Sequence, residues 1–378
     1  MKLLFIIFKY FPYGGLQLDF YRIVKEAARR GHKITILTSQ WEDEFIEGID
    51  YHFIHPHALS NHRFALEFEK LTLEYLKKES FDLVCGFNRI AGLDVYFAND
   101  NCFRTHSKNK KWFQRCFTSR YKIFERLENN ILSPQAKTKI FYMAEQQKKD
   151  YIKEYNTQNE RFYCLPFGLV QSKKFPKEQV HEINQEVRKE FNISEEKIVL
   201  IQICSSFYTK GVDRNLYALS SLPEEIRQKC IFLVVGRDNP KKISKLVKKL
   251  KLENQVIFTC GRTDVERILL CANLMIHPAR NEAGGIVLIE ALAEYVPVLC
   301  TKNCGYSQFV QEAKNYVLDV PFNQKAYNEA LLSLLQNNSL LEQLKFNVTQ
   351  YAQKTDFYSR HTIAVDYLEK FGLESSIN

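Results

Sequence analysis

Two carboxylates with seven residues between them, Glu282 and Glu290, stand in the run N-E-A-G-G-I-V-L-I-E at 281–290. The run follows an apolar stretch, Leu274-Met275-Ile276, and then Pro278, so a strand ends just before it. Ala283, Gly284, Gly285 and Ile286 lie between the acids, and a helical run, Ile286–Ala293, begins there. A strand, a glycine pair and a helix start leave backbone N–H groups and the positive end of a helix dipole facing outward, a setting that suits an anion. Glu282 in the loop faces whatever the anion carries. Glu290, one turn inside the helix, is placed to accept from two hydroxyls of a ribose. Sugar, diphosphate and ribose occur in that order in a nucleotide-sugar. Two solvated acids on a surface helix are the plain alternative, and a lone Glu-x7-Glu would favour it. The strand–loop–helix setting favours the ligand.

Other loops carry matching chemistry. F-Y-T-K-G-V-D-R at 207–214 follows a strand and places Lys210, freed by Gly211, at the mouth of the second half of the chain. A lysine there is a point charge for a diphosphate leaving group. Arg214 either assists it or pairs with Asp213. Gly236, in Gly236-Arg237-Asp238, and Arg262, in Gly261-Arg262, follow predicted strands and are candidate walls of a base pocket. Gly14 and Gly15 follow the first strand, with Asp19 one turn into the next helix. They form either a close approach to a ligand or a plain tight turn, and Asp19 either faces the ligand or partners the helix dipole. Asp100, at the end of Ala98-Asn99-Asp100, either faces the transferred group or caps its strand. No two glycines and no two aspartates are separated by one residue, so G-x-G-x-x-G, a P-loop and D-x-D are all missing. Diphosphate chemistry would use protein cations and N–H groups, with no metal and no other cofactor.

The elements that must hold these loops alternate. Strands are predicted at 2–8, 34–37, 81–85, 93–98 and 139–143. After the hinge Pro166-Phe167-Gly168 they resume at 197–203, 231–235, 256–259, 274–276 and 296–300. Helices are predicted at 16–30, 181–191, 323–336, 340–353 and 358–371. This order argues for α/β doubly wound parallel sheets in two halves, with ligands beyond the carboxyl ends of the strands. A length of 378 residues allows two or three domains. Hydrophobic residues at 45% and charged residues at 26% fit a soluble globular chain. Ten scattered cysteines without C-x-x-C read as reduced structural thiols. The apolar start, Leu3–Phe8, is too short for a signal peptide, and no stretch reaches the length of a membrane span.

The formal charge of +9 is uneven. Between 103 and 126, Arg104, Lys108, Lys110, Lys111, Arg115, Arg120, Lys122 and Arg126 accompany a single acid, Glu125. Phe113, Phe117, Tyr121, Phe124 and Leu127 recur at helical steps. A basic amphipathic helix with Trp112 at its edge suits anionic lipid headgroups. The same stripe could instead pack on the domain core with its cations solvated, and the two readings stand side by side. No nucleic-acid module is matched.

Taken in order, K-Y-F-P-Y-G-G-L-Q-L-D-F at 9–20, G-F-N-R-I-A-G-L-D-V-Y-F-A-N-D at 86–100, K-G-V-D-R at 210–214, V-V-G-R-D at 234–238, H-P-A-R-N-E-A-G-G-I-V-L-I-E-A at 277–291 and C-G-Y at 304–306 run nearly end to end. In these segments the chain resembles the retaining glycosyltransferases of family 4, of GT-B fold, and among them the lipopolysaccharide core glucosyltransferases. The resemblance implies two facing Rossmann-like domains with a cleft between them. An acceptor-binding domain is expected at 1–166 and a nucleotide-sugar-binding domain at 167–355, with a helix at 356–378 crossing back to the first domain. It implies UDP-glucose or a close UDP-hexose as donor, a lipid A–core heptose as acceptor, and an α-linkage formed with retention. In it, Glu290 holds the ribose, Glu282 contacts sugar hydroxyls, Lys210 neutralises the diphosphate, and Asp19 and Asp100 line the first domain. It also implies a cytoplasmic protein, peripheral on the inner membrane through 103–126. One departure stands out: many relatives carry an arginine in the loop before the lysine, and close ones immediately before it, where this chain has Thr209. Outside the resemblance, a UDP-sugar 2-epimerase of related architecture and a non-enzymatic basic membrane-docking protein are the rival readings.

Overall fold

The computed structural model describes residues 1–12, 14–107, 118–169, 175–282 and 284–377. The chain divides into two compact units, Met1–Gly168 with Tyr358–Asn378, and Leu169–Phe357.

The first unit is built on a parallel sheet of seven strands, β1 (Lys2–Ile6), β2 (Lys33–Thr38), β3 (Asp50–Phe53), β4 (Leu83–Gly86), β5 (Val95–Phe97), β6 (Lys139–Tyr142) and β7 (Phe162–Cys164), in the order β3-β2-β1-β4-β5-β6-β7. β1 is nearly all apolar because helices cover both faces of its sheet; Leu3, Leu4, Phe5 and Ile6 are buried and pair in register with 34–37 and 83–86. The second unit carries six parallel strands, β8 (Ile198–Ile203), β9 (Cys230–Val235), β10 (Val256–Phe258), β11 (Leu274–His277), β12 (Val298–Thr301) and β13 (Tyr316–Leu318), in the order β10-β9-β8-β11-β12-β13. All six residues of β9 are buried, as a central strand of this type requires. Each unit has its own apolar core, around Phe68, Tyr96 and Ile140 in the first and around Leu216, Phe232 and Leu331 in the second.

Strands β3, β7 and β13 fall outside the predicted set. Each closes one edge of its sheet and is only three or four residues long, with at most one buried position. An edge strand needs no continuous apolar run, so it leaves little trace in the sequence. The helix Arg360–Ile377 packs on the first unit: Arg30 pairs with Asp366 and Glu369 at 2.7 and 2.9 Å, and Phe371 meets Phe141.

Candidate active site

In the second unit the sheet changes direction between β8 and β11, since β8 continues to β9 on one side and β11 to β12 on the other. Loops beyond the carboxyl ends of such a pair form the natural ligand crevice. These are 204–211, leading into the helix Val212–Ser220, and 278–285, leading into the helix Ile286–Ala293. Several contacts hold the two loops together. Gly211, at φ +77°, lies so close to Pro278 that a Cβ there would sit 2.2 Å from the Pro278 carbonyl oxygen. The Arg280 N–H donates to the Thr209 carbonyl at 2.9 Å. The Arg280 guanidinium donates to the Tyr208 carbonyl, stacks on the Tyr208 ring at 3.9 Å, and forks onto the Asp213 carboxylate with two 2.7 Å bonds.

This stitching brings Lys210 and Glu282 together. Lys210 Nζ lies 2.7 Å from Glu282 Oε2 and donates to the Asn281 carbonyl at 3.2 Å. A buried polar chain supports the lysine from behind. Tyr327 Oη donates to Asn215 Oδ1, Asn215 Nδ2 to Gln202 Oε1, and Gln202 Nε2 to the Lys210 carbonyl at 2.7 Å. Fully buried His277 places Nε2 3.4 Å from Glu282 Oε2, within ion-pair range though outside hydrogen-bond geometry. Burial alone would push the Glu282 carboxyl up, but His277 and Lys210 together outweigh it and hold the group below the usual carboxylate range. Glu282 is thus kept ionised beside a lysine, in a loop that is further fastened by the Gly305 N–H to the Glu282 carbonyl and the Tyr306 N–H to the Gly284 carbonyl.

Gly285, at φ +95°, is the N-cap of Ile286–Ala293, and no side chain caps this helix among the described residues. Its first turn therefore keeps the N–H groups and positive dipole end that suit a phosphate. Gly284 and Ile286 flank that turn, and Glu290 stands one turn in, half-buried. Ala283 lies outside the described residues.

Several expected residues are used otherwise. Arg214 neither reaches Glu282 nor pairs with Asp213, which Arg280 takes. Its guanidinium donates to the Pro278 carbonyl at 2.9 Å and stacks on Phe322 at 3.7 Å, and burial lowers its pKa. Arg262, expected on a base pocket, forks onto Asp264 at 2.8 and 2.7 Å and pairs with Glu190 at 2.9 Å, tying the helix Val180–Glu190 to its own loop. Gly236 serves packing, since a Cβ there would sit 1.8 Å from the Cys204 carbonyl oxygen. Beside it, Asp238 accepts from the Phe207 N–H at 2.6 Å, and a cavity of about 770 Å³ opens between Tyr208, Asn239 and Lys242. His277, Gln202 and Arg280 are site residues without a motif of their own: Arg280 acts on Tyr208 and Asp213, 72 and 67 positions away, while His277 and Gln202 act on the nearby Glu282 and Lys210.

In the first unit, Asp19 is not an open carboxylate. It is buried and accepts from Arg360 Nη1 at 2.7 Å, while Arg360 Nε donates to the Pro166 carbonyl and Arg22 to the Gly168 carbonyl. Asp19 therefore ties the first helix to Arg360, and Arg360 in turn holds the hinge segment. Gly14 is the N-cap of the helix Gly15–Arg29 in ordinary extended conformation; a Cβ would crowd Gln17 there, whereas Gly15 faces open space. Asp100 keeps its side chain 73% exposed, with Arg89 3.9 Å away, and its carbonyl is held by Gln147 and Tyr151. Fully buried Glu128 anchors the adjoining loop by accepting from the Phe103 and Arg104 N–H groups at 2.9 and 3.2 Å.

In the basic segment, Lys108, Lys110, Lys111, Arg115, Trp112, Phe113 and Phe117 lie outside the described residues. Of the remainder, Arg104 pairs with Glu125 at 3.0 Å and Arg126 with Glu69. Phe103 packs on Tyr121 and Phe124, all three half-buried, and Leu127 is buried. Among the described residues, no helix is long and apolar enough to cross a membrane, and no cluster of three His, Cys, Asp or Glu residues could hold a metal.

Comparison with known proteins agrees with this architecture. Residues 183–354 match the family described as glycosyl transferases group 1. The chain is 37% identical to the lipopolysaccharide glucosyltransferase WaaG of Escherichia coli K12, over 97% of this chain and 98% of that one. A crystal structure of WaaG, a glycosyltransferase involved in lipopolysaccharide biosynthesis, superposes with a TM-score of 0.85 at 36% identity, covering 97% of this chain and 99% of that one. Anabaena Alr3699/HepE, solved with UDP and glucose, shares the fold at 16% identity and a TM-score of 0.71, over 98% of this chain and all of the other. The chain belongs to the group 1 glycosyl transferases and is a glycosyltransferase with the two Rossmann-like parallel-sheet domains of the GT-B fold.

Proposed function

We propose that the protein transfers glucose, or a similar hexose, from its UDP-sugar to a heptose of the lipopolysaccharide inner core, forming an α-linkage with retention. The observation that carries this is the Lys210–Glu282 contact of 2.7 Å beside the uncapped start of Ile286–Ala293. A cation, a carboxylate and free N–H groups meet there at the switch point of a parallel sheet. The second unit holds the donor: Lys210 and the helix start take the diphosphate, Glu290 the ribose, and Glu282 the sugar hydroxyls. The first unit holds the acceptor, with Asp100 facing the transferred group. The relationship to WaaG over nearly the whole chain supports lipopolysaccharide as the acceptor class.

The C1–O bond to UDP breaks as the C1–O bond to the acceptor forms on the same face. The acceptor's hydroxyl proton passes to a β-phosphate oxygen of the departing UDP. The protein positions both substrates and stabilises the departing charge. No divalent metal is assigned, because the chain lacks D-x-D. A panel of UDP- and GDP-sugars tests the reading, first for thermal stabilisation and then for turnover on truncated core acceptors in the presence of EDTA. UDP at a hundred times its Kd should stabilise the protein by about 2.7 kcal/mol. Stabilisation by GDP-sugars alone, isomerisation of UDP-glucose without acceptor, or loss of turnover in EDTA would refute it.

Glu290→Ala is expected to weaken UDP binding about tenfold or more, the loss of a charge-assisted acceptor on two hydroxyls. Titration calorimetry reads this directly, and an unchanged UDP affinity would remove Glu290 from the ribose.

Attachment to the cytoplasmic face of the inner membrane through 103–126 is part of the same proposal. Lys122 is exposed on the helix Ser119–Leu132 and joins the cations of 108–117. Binding to anionic vesicles should fall steeply with salt, and neutralising Lys111, Arg115 and Lys122 should weaken it about fivefold per charge, from about 1 kcal/mol each. Equal vesicle binding by that variant and the native chain would assign the segment to the core alone.

A further inference from the structure

The first unit's sheet also changes direction, between β1 and β4, so its own ligand crevice belongs beyond the carboxyl ends of those strands. A pocket of about 420 Å³ lies there. Phe8 and Lys9 follow β1, Asn88 follows β4, and Gln17, Phe64 and Phe124 reach in from three helices. The lining includes one lysine and no carboxylate. We propose that this pocket is the acceptor subsite and that it takes a pyranose ring carrying an acidic substituent, a phosphate or a carboxylate.

The inference rests on the acceptor reading above and adds the acid group to it. Phe8, Phe64 and Phe124 line the pocket with apolar ring surface, the mixture of aromatic wall and few polar groups typical of small-molecule sites. The two amides are already oriented. Asn88 Oδ1 accepts from the Phe8 N–H at 2.7 Å, which leaves its NH₂ to donate. Gln17 Nε2 donates to the Lys9 carbonyl at 3.3 Å, which leaves its oxygen to accept a hydroxyl. Lys9 Nζ stands 5.5 Å from the Phe64 ring centre, and no acid pairs with it among the described residues. A cation in a recess without carboxylates attracts an anion, and a neutral sugar would leave that charge unmatched.

Lys9→Gln is the test, with Lys9→Arg as the conservative control and UDP affinity as the check on folding. Steady-state kinetics use the deacylated core saccharide intact, with its phosphates removed, and with its carboxyl groups reduced. With the intact acceptor, Lys9→Gln should raise acceptor KM about tenfold and leave kcat and donor KM within about twofold, and Lys9→Arg should restore it. The arm in which the Lys9→Gln penalty disappears identifies which acid group is read. An unchanged acceptor KM, or a penalty that survives removal of both acid groups, overturns the proposal. Should the native chain turn over none of these acceptors while still binding UDP, the core-acceptor reading fails instead. The pocket is then judged by saturation-transfer NMR with glucose 6-phosphate, glucuronate and glucose. Signal from either acidic sugar that Lys9→Gln removes supports it, and equal signal from all three overturns it.

Discussion

Lys210→Ala is expected to lower kcat about a hundredfold, the usual cost of removing one preorganised donor from a departing negative charge. The lysine is preorganised in three ways. Gly211 lets its loop close on Pro278, the Gln202 side chain holds its carbonyl, and Asn281 and Glu282 hold its Nζ. Without a ligand the Glu282 carboxylate matches its charge. As the UDP–hexose bond breaks, charge grows on the diphosphate, and the lysine is the group placed to meet it. Removing it also leaves the half-buried Glu282 facing that diphosphate with His277, 3.4 Å away, as its one remaining ion-pair partner among the described residues. Besides the fall in kcat, Lys210→Ala should therefore weaken donor binding, and adding Glu282→Gln to it should recover part of the donor affinity. Lys210→Arg should rescue only in part, because a planar fork does not occupy the site of a compact ammonium. Turnover on UDP-glucose near the native rate in Lys210→Ala would end this assignment.

How much of this was legible in the chain depends on how far apart the partners are. Central strands such as β1, β8 and β9 are readable because burial on both faces demands a nearly continuous apolar run, broken in β8 only by Gln202. The glycine pair at 284–285 and the Lys210-Gly211 step are readable because strand, loop and helix follow one another locally. Long-range pairing is not. Asp19 reads as an open acid until Arg360, 341 positions later, takes it. Arg214 reads as a second phosphate cation until Pro278 and Phe322 claim it, and Asp213 reads as its partner until Arg280 arrives from the neighbouring strand's loop. The Thr209 hydroxyl accepts from the Ser206 hydroxyl at 3.0 Å, while its carbonyl, a group any residue would supply, accepts from the Arg280 N–H, and the Arg280 guanidinium lies over Tyr208. That guanidinium is forked onto Asp213, so its charge is already compensated within the protein.

Gly211→Ala should damage the protein through geometry alone. Its Cβ would meet the Pro278 carbonyl oxygen at 2.2 Å and the Pro278 carbonyl carbon at 3.0 Å, both backbone atoms that cannot rotate aside. The residue also sits at φ +77°, where an L side chain costs about 1–2 kcal/mol. Overpacking adds about 1–3 kcal/mol, for a total near 3 kcal/mol. For a unit of this size that corresponds to a melting point lower by about 6–12 °C. Gly285→Ala separates the two causes, because its φ is +95° but its nearest contact is the Glu282 side-chain Cγ at 3.1 Å, not backbone. It should show the φ cost with less of the clash, and so a fall about half as large. Relief of the clash can come only by moving the 206–211 loop away from 278–282, which draws Lys210 from Glu282. A displacement of about 1 Å at that point is enough to lower kcat about a hundredfold, even in protein that remains folded at the assay temperature. Native turnover in a folded Gly211→Ala variant would show that the close approach of the two loops is not what sets the lysine in place.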